Sequence, residues 1–116
     1  MHDFQLLLSE PNAGVLELSL VGEVDLGNVE TLREASQTAA GSGDYSCLVF
    51  DLTRLAFIDS SGLHALTEAR AAMVARGGTT KVVCSHGSLL KVLELTGLTQ
   101  IFPIVSTRDE AIAVAA

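Results

Sequence analysis

At 116 residues the chain falls within the size range of one compact domain that can bury its own core. A composition of 48% hydrophobic and 18% charged residues excludes a disordered chain. The formal net charge of -7, with no cluster of Lys or Arg, argues against electrostatic binding to nucleic acid or anionic lipid and favours docking on a basic protein surface. No apolar stretch approaches the roughly 20 residues that span a bilayer, so membrane insertion is not expected. Met1-His2-Asp3-Phe4-Gln5-Leu6-Leu7-Leu8 has no basic flank and too short an apolar run for a signal peptide. A cytoplasmic location is the expectation. Cys47 and Cys84 both lie in apolar runs and read as buried, reduced thiols.

The elements follow in chain order. Asp3 to Glu10 carries Phe4, Leu6 and Leu8 on one parity, which predicts a half-buried strand. Pro11-Asn12-Ala13-Gly14 is a turn, and Val15 to Val21 alternates again, with Glu17 and Ser19 opposite the apolar face. The opening is therefore a β-hairpin. Gly22-Glu23-Val24-Asp25 leads into a helix over about Gly27–Ala40, with Val29, Leu32, Ser36 and Ala39 near one face and Asp25 or Asn28 as N-cap. Gly41-Ser42-Gly43-Asp44 is expected to break it.

Tyr45 to Leu52 contains the continuous apolar run Cys47–Phe50, the pattern of a central strand covered on both faces. A connection through Thr53-Arg54 leads to Phe57-Ile58-Asp59-Ser60-Ser61-Gly62-Leu63. A helix is predicted from about Ser61 to Arg76, with Leu63, Leu66, Ala69 or Arg70, and Met73 on one face and Gly77-Gly78 as its stop. Thr80–Cys84 reads as a buried strand. Ser85-His86-Gly87-Ser88 caps a helix carrying Leu89, Leu90, Val92, Leu93 and Leu95, closed by Gly97-Leu98. Ile101 to Val105 reads as a last edge strand because of Pro103, and Thr107 and Glu110 are spaced as the capping box of a terminal helix. The predicted fold is α/β: one domain over residues 1–116, with a mixed, mostly parallel central sheet, an N-terminal β-hairpin and about four helices.

Several chemistries lack their motif. Gly-x-Ser-x-Gly is absent around Ser60 and Ser61, and of His2, His64 and His86 only His64 is near, on a helix where a solvent-facing role is the simpler reading. Neither phosphate-cradling glycine motif of nucleotide-binding folds occurs, and Gly41-Ser42-Gly43 precedes a strand, the wrong context for one. Asp25, Asp51 and Asp59 show no metal-ligand spacing, and Asp51 reads as a turn former. No enzyme, metal or cofactor is expected. Asp59-Ser60-Ser61-Gly62 is open between two readings. Asp, Ser and Gly cap helices, yet two serines exceed what one cap needs, and a phosphate at a helix N-terminus meets a favourable dipole.

Those residues carry a resemblance. The chain resembles the STAS-domain anti-anti-sigma factors (anti-sigma-factor antagonists) over nearly all its length. Gly22-Glu23-Val24-Asp25, then Asp51-Leu52 through Ile58-Asp59-Ser60-Ser61-Gly62-Leu63, carry most of it. Gly77-Gly78 before Val82-Val83-Cys84, and Gly97-Leu98 before Ile101-Phe102, add two further landmarks. The resemblance implies a non-enzymatic partner switch. The unmodified antagonist binds an anti-sigma factor with serine kinase activity and so frees a sigma factor. Phosphorylation from ATP releases the antagonist, and a metal-dependent serine phosphatase restores it. The implied phosphoacceptor is Ser60, with Ser61 as second choice. Asp25, Asp59, Ser60, Ser61 and Gly62 form the implied partner-binding face, Gly62 allowing close approach. The same resemblance leaves an alternative: a docking subunit of a stressosome or of a lipid or anion transport complex, without a phospho-switch.

Overall fold

Alternating apolar residues build the hairpin. In the computed structural model, which describes residues 3–85 and 87–115, β1 (Phe4–Asn12) and β2 (Val15–Val24) pair antiparallel, with Leu6 opposite Leu20 and Leu8 opposite Leu18. β1 runs further than expected, to Asn12, and its register slips between Ser9 and Asn12. Pro11 lies in that gap and has no N–H to give a ladder bond. Gly22 carries φ 99°, and a Cβ there would lie 2.2 Å from the Asp3 carbonyl oxygen, so no other residue fits this crossing.

The remaining strands add in parallel and in sequence: β3 (Cys47–Ile58), β4 (Thr79–Val83) and β5 (Ile104–Val105) give the order β1-β2-β3-β4-β5. Each parallel step is bridged by a helix: α1 (Val29–Ser42), α2 (Ser60–Ala75) and α3 (Gly87–Leu95). Right-handed crossovers that all advance the same way put three helices on one face. Their apolar stripes meet the strands there: Leu32 of α1, Leu66 and Met73 of α2, and Leu93 of α3 join Leu18, Leu20, Phe50 and Val82 in one core. Arg33 of α1 bonds Glu30 and Glu68, which ties α1 to α2 across their outer surface.

The far face of the sheet carries Val15, Cys47, Val49 and Val83, covered by Ala111 of α4 (Arg108–Ala115). Thr107 caps α4, accepting from Glu110 N–H at 3.2 Å and donating to Glu110 Oε1, as the capping spacing predicts. Glu17, expected on a polar face, is buried instead. It accepts two 2.7 Å bonds from Arg108 Nε and one of 3.0 Å from Ser9 Oγ. The buried Lys81 donates to the Ala111 carbonyl at 3.4 Å. α4 is thus seated on polar anchors.

Other boundaries also differ from the expectation. α1 continues through Gly41 and Ser42 and ends at Gly43, because Gly41 points into open space and Ser42 Oγ bonds back to Ala39. β3 starts at Cys47 and continues through Thr53-Arg54 to Ile58. A bulge opposite Leu20 breaks its alternation, held by Asp51 Oδ1 accepting from Thr53 N–H at 3.0 Å. β5 is reduced to Ile104–Val105, since Leu98–Gln100 forms a 3₁₀ turn and the Ile101 carbonyl is taken by Arg70. The central position of β3, the burial of both cysteines and the edge position of β5 match the sequence reading. His2 and His86 lie outside the described residues.

Candidate functional site

The site forms where two strands end level. Val24 pairs with Ile58, and Asp59 N–H donates to the Val24 carbonyl at 3.1 Å. The loop leaving β2 and the turn leaving β3 therefore sit side by side at the carboxyl end of the sheet.

Asp59 leaves the strand in extended geometry (φ -93°, ψ -177°) and is the N-cap of α2, which begins at Ser60, one residue earlier than predicted. Its Oδ1 accepts from Gly62 N–H at 3.1 Å and from Ser61 Oγ at 2.5 Å. Backbone N–H groups of Ser61 and, from the neighbouring loop, Leu26 also face this carboxylate. The Ser61 hydroxyl above all, helped by these N–H groups and opposed by partial burial, holds the Asp59 carboxyl below the usual carboxylate range. The Asp59 carboxylate thus favours its ionised form, and the Asp59 backbone ties its turn to the end of β2.

The two serines are therefore not equivalent. Ser61 is half-buried with its hydroxyl committed to Asp59. Ser60 is exposed, and its hydroxyl has no hydrogen-bond partner among the described residues. Gly62 is buried beneath them. A Cβ at Gly62 would come within 2.5 Å of Ile58 Cγ1 and 2.8 Å of Val24 Cγ1. The close approach that this glycine permits in the structure is that of its own helix to the two strand ends.

Asp25 belongs to the other loop. Its Oδ1 accepts from Gly27 N–H at 2.9 Å, and its carbonyl accepts from the N–H groups of Asn28 and Val29. Asn28 is the N-cap of α1, but its side chain turns back, accepting from Asp25 N–H and donating to the Glu23 carbonyl. Asp25, Leu26 and Thr31 line one open groove together with Asp59. The structure thus brings Asp25, Asp59, Ser60 and Ser61 to one end of the fold. Asp51 lies apart at the β3 bulge. His64 is exposed on α2 with Nε2 3.7 Å from Glu68 Oε2, so its nearest charged neighbour is an acid one turn on.

Sequence reasoning missed the exposure of Leu26, and it read Asn28 as a possible N-cap without its bonds back to Glu23 and Asp25. Leu26 is 79% exposed at the groove while its N–H faces the Asp59 carboxylate, and Phe57 adds a second exposed apolar side chain at this end. No sequence signal separates Leu26 from a buried leucine. For Asn28, its place three residues after Asp25 was the available cue.

Comparison with known proteins agrees with this geometry. The chain is 28% identical to an anti-sigma F factor antagonist of Paenibacillus polymyxa over 103 residues, 89% of this chain and 88% of that one. It superposes on an anti-sigma factor antagonist from Mycobacterium paratuberculosis with a TM-score of 0.87 at 26% identity, covering 97% and 94% of the two chains. The phosphorylated form of the Bacillus cell fate determinant SpoIIAA gives a TM-score of 0.79 at 26% identity, covering 97% and 100%. Residues 8–111 match the STAS domain model. With that span matched and the expected sheet and helices in place, the chain belongs to the STAS domain family.

Proposed function

We propose that this protein is an anti-sigma-factor antagonist whose partner is an anti-sigma factor with serine kinase activity, and that phosphorylation of Ser60 ends the complex and a serine phosphatase restores it. The observation that carries this reading is the division of labour between the serines. A kinase needs a hydroxyl free to enter its active site, and Ser60 is the exposed one with no partner among the described residues, whereas Ser61 is spent on Asp59. Membership of the STAS family and relatives named as anti-sigma factor antagonists support the choice of partner.

The energetics suit a switch without refolding. A phosphoserine carries about -1.5 to -2 charges near neutral pH. At the first position of α2 it meets the positive end of the helix dipole, so the fold tolerates it. Outward, it adds to the carboxylates of Asp25 and Asp59. Two unit charges about 4 Å apart interact by about 4 kcal/mol near a protein surface, and about 1.4 kcal/mol already changes affinity tenfold. A partner carboxylate facing Ser60, or a desolvated interface there, therefore releases the complex. The protein is the substrate of the reaction and performs no chemistry of its own.

The test is incubation with the cognate anti-sigma factor and ATP, followed by phosphosite mapping. Wild type is expected to be modified at Ser60, Ser60→Ala to bind and stay unmodified, and Ser60→Asp to bind weakly. Modification at Ser61 alone overturns the assignment. Binding that ignores Ser60→Asp favours a docking subunit without a switch.

A further inference from the structure

We propose that the groove between α1 and the outer edge of β1 docks an extended, basic segment of a partner protein with alternating apolar side chains, laid along β1 as an added strand. β1 forms one edge of the sheet, and among the described residues only β2 pairs with it. Its middle, Gln5-Leu6-Leu7-Leu8, carries no charge, and Leu7 and Leu8 are 47% and 54% exposed. This stretch precedes the register slip between Ser9 and Asn12 and has none of the inward charges or bulges that blunt pairing, and such an edge accepts another strand.

Above this edge α1 does not reach far enough to cover the sheet. Its residues Ala35 and Thr38 look across to Leu8, and Leu16 and Ala39 make an apolar floor. The rim is acidic, from Glu34 and Asp44. Side chains of an added strand that point to this face would enter the groove beside Leu8, and their neighbours would leave it.

Charge selects the occupant. Arg33 is held by Glu30 and Glu68, and Arg108 by Glu17. Arg70, Arg76 and Lys81 donate to backbone carbonyls of Ile101, Ala40 and Ala111. None of these cations answers Glu34 or Asp44. A second copy pairing through β1 would bring the acidic flanks Asp3 and Glu10 of two chains of net charge -7 together. A basic segment meets complementary charge along the whole groove. Thr31 lines both this groove and the one at Asp25 and Asp59, so the surface is continuous with the site at Ser60. That the same partner spans both rests on the function proposed above; the groove itself does not.

The experiment is an NMR titration of the ¹⁵N-labelled protein with a short peptide of alternating leucine and lysine, and with its leucine–glutamate counterpart. The basic peptide is expected to shift amides of β1 and of α1 from Thr31 to Thr38, with the acidic one about tenfold weaker or more. Glu34→Lys combined with Asp44→Lys, both exposed positions, should reverse that preference. Ser60→Asp should leave the titration unchanged, so the groove and the phospho-switch fail separately. Equal response to both peptides, shifts spread over the whole acidic surface, or dimerisation through β1 without peptide overturns the proposal.

Discussion

The Ser61 hydroxyl donates to Asp59 Oδ1 at 2.5 Å, and this single bond makes neighbouring serines chemically different. Ser61→Ala removes a charge-assisted bond and is expected to cost about 1–2 kcal/mol of stability while leaving phosphorylation in place. Ser60→Ala, at an exposed position, should change stability by less than about 0.5 kcal/mol and abolish phosphorylation. Urea denaturation of both variants beside phosphosite mapping checks the pair. A larger stability loss for Ser60→Ala than for Ser61→Ala would contradict it.

Asp59 makes part of the stability pH-dependent. Its folded-state pKa lies below the ordinary carboxylate value, so the ionised form is favoured by folding. That contribution is fully present above the unfolded value and is lost as pH falls through the folded one. Asp59→Ala removes both the N-cap bond to Gly62 and the bond from Ser61 and should therefore cost about 2 kcal/mol at neutral pH, the upper end for an N-cap. The gap from wild type should narrow on acidification below the unfolded value. Denaturation curves across that range measure it, and a gap that stays constant with pH would count against the assignment.

Gly62 lies in a helix, where alanine would ordinarily be an improvement of up to about 1 kcal/mol. Here the added methyl would press on Ile58 and Val24, the two strand ends that set the site level. Overpacking should prevail, and Gly62→Ala is expected to lower stability by about 1–3 kcal/mol. Thermal unfolding tests this directly. A rise in Tm would mean that the strand ends yield.

The buried Glu17 depends on a partner 91 residues away, Arg108. Arg108→Ala leaves that carboxylate in its burial with Ser9 as its remaining side-chain partner among the described residues, at an expected cost of about 1–3 kcal/mol. Hydrogen exchange should speed up in α4 while α1 and α2 keep their protection. Uniform loss of protection would show that α4 is not a separate unit.

Sequence pattern alone reached the hairpin, the central apolar strand and the helix faces, because each depends on residues a few positions apart. It could not reach what depends on distant contacts. Thr53-Arg54 looks like a connection until the bulge opposite Leu20 is known, and Glu17 looks solvent-facing until α4 returns over it. At the site, the residues Asp59-Ser60-Ser61-Gly62 were legible as a cap with a serine to spare. Their inequality depends on one side-chain rotation, and the Leu26 N–H on Asp59 comes from another loop. Neither has a sequence signature.

The order of the strands in the sheet is the order of the strands in the chain. Each strand that leaves the ribosome finds its neighbour already made, so the sheet can grow from one side without waiting for a distant segment. The last helix is the exception, since Arg108 reaches back 91 residues to Glu17, and the Ile112 carbonyl accepts from Asn12 Nδ2 across 100 residues. Synthesis thus yields a nearly finished sheet with one face still bare until α4, which follows every strand, emerges to cover it.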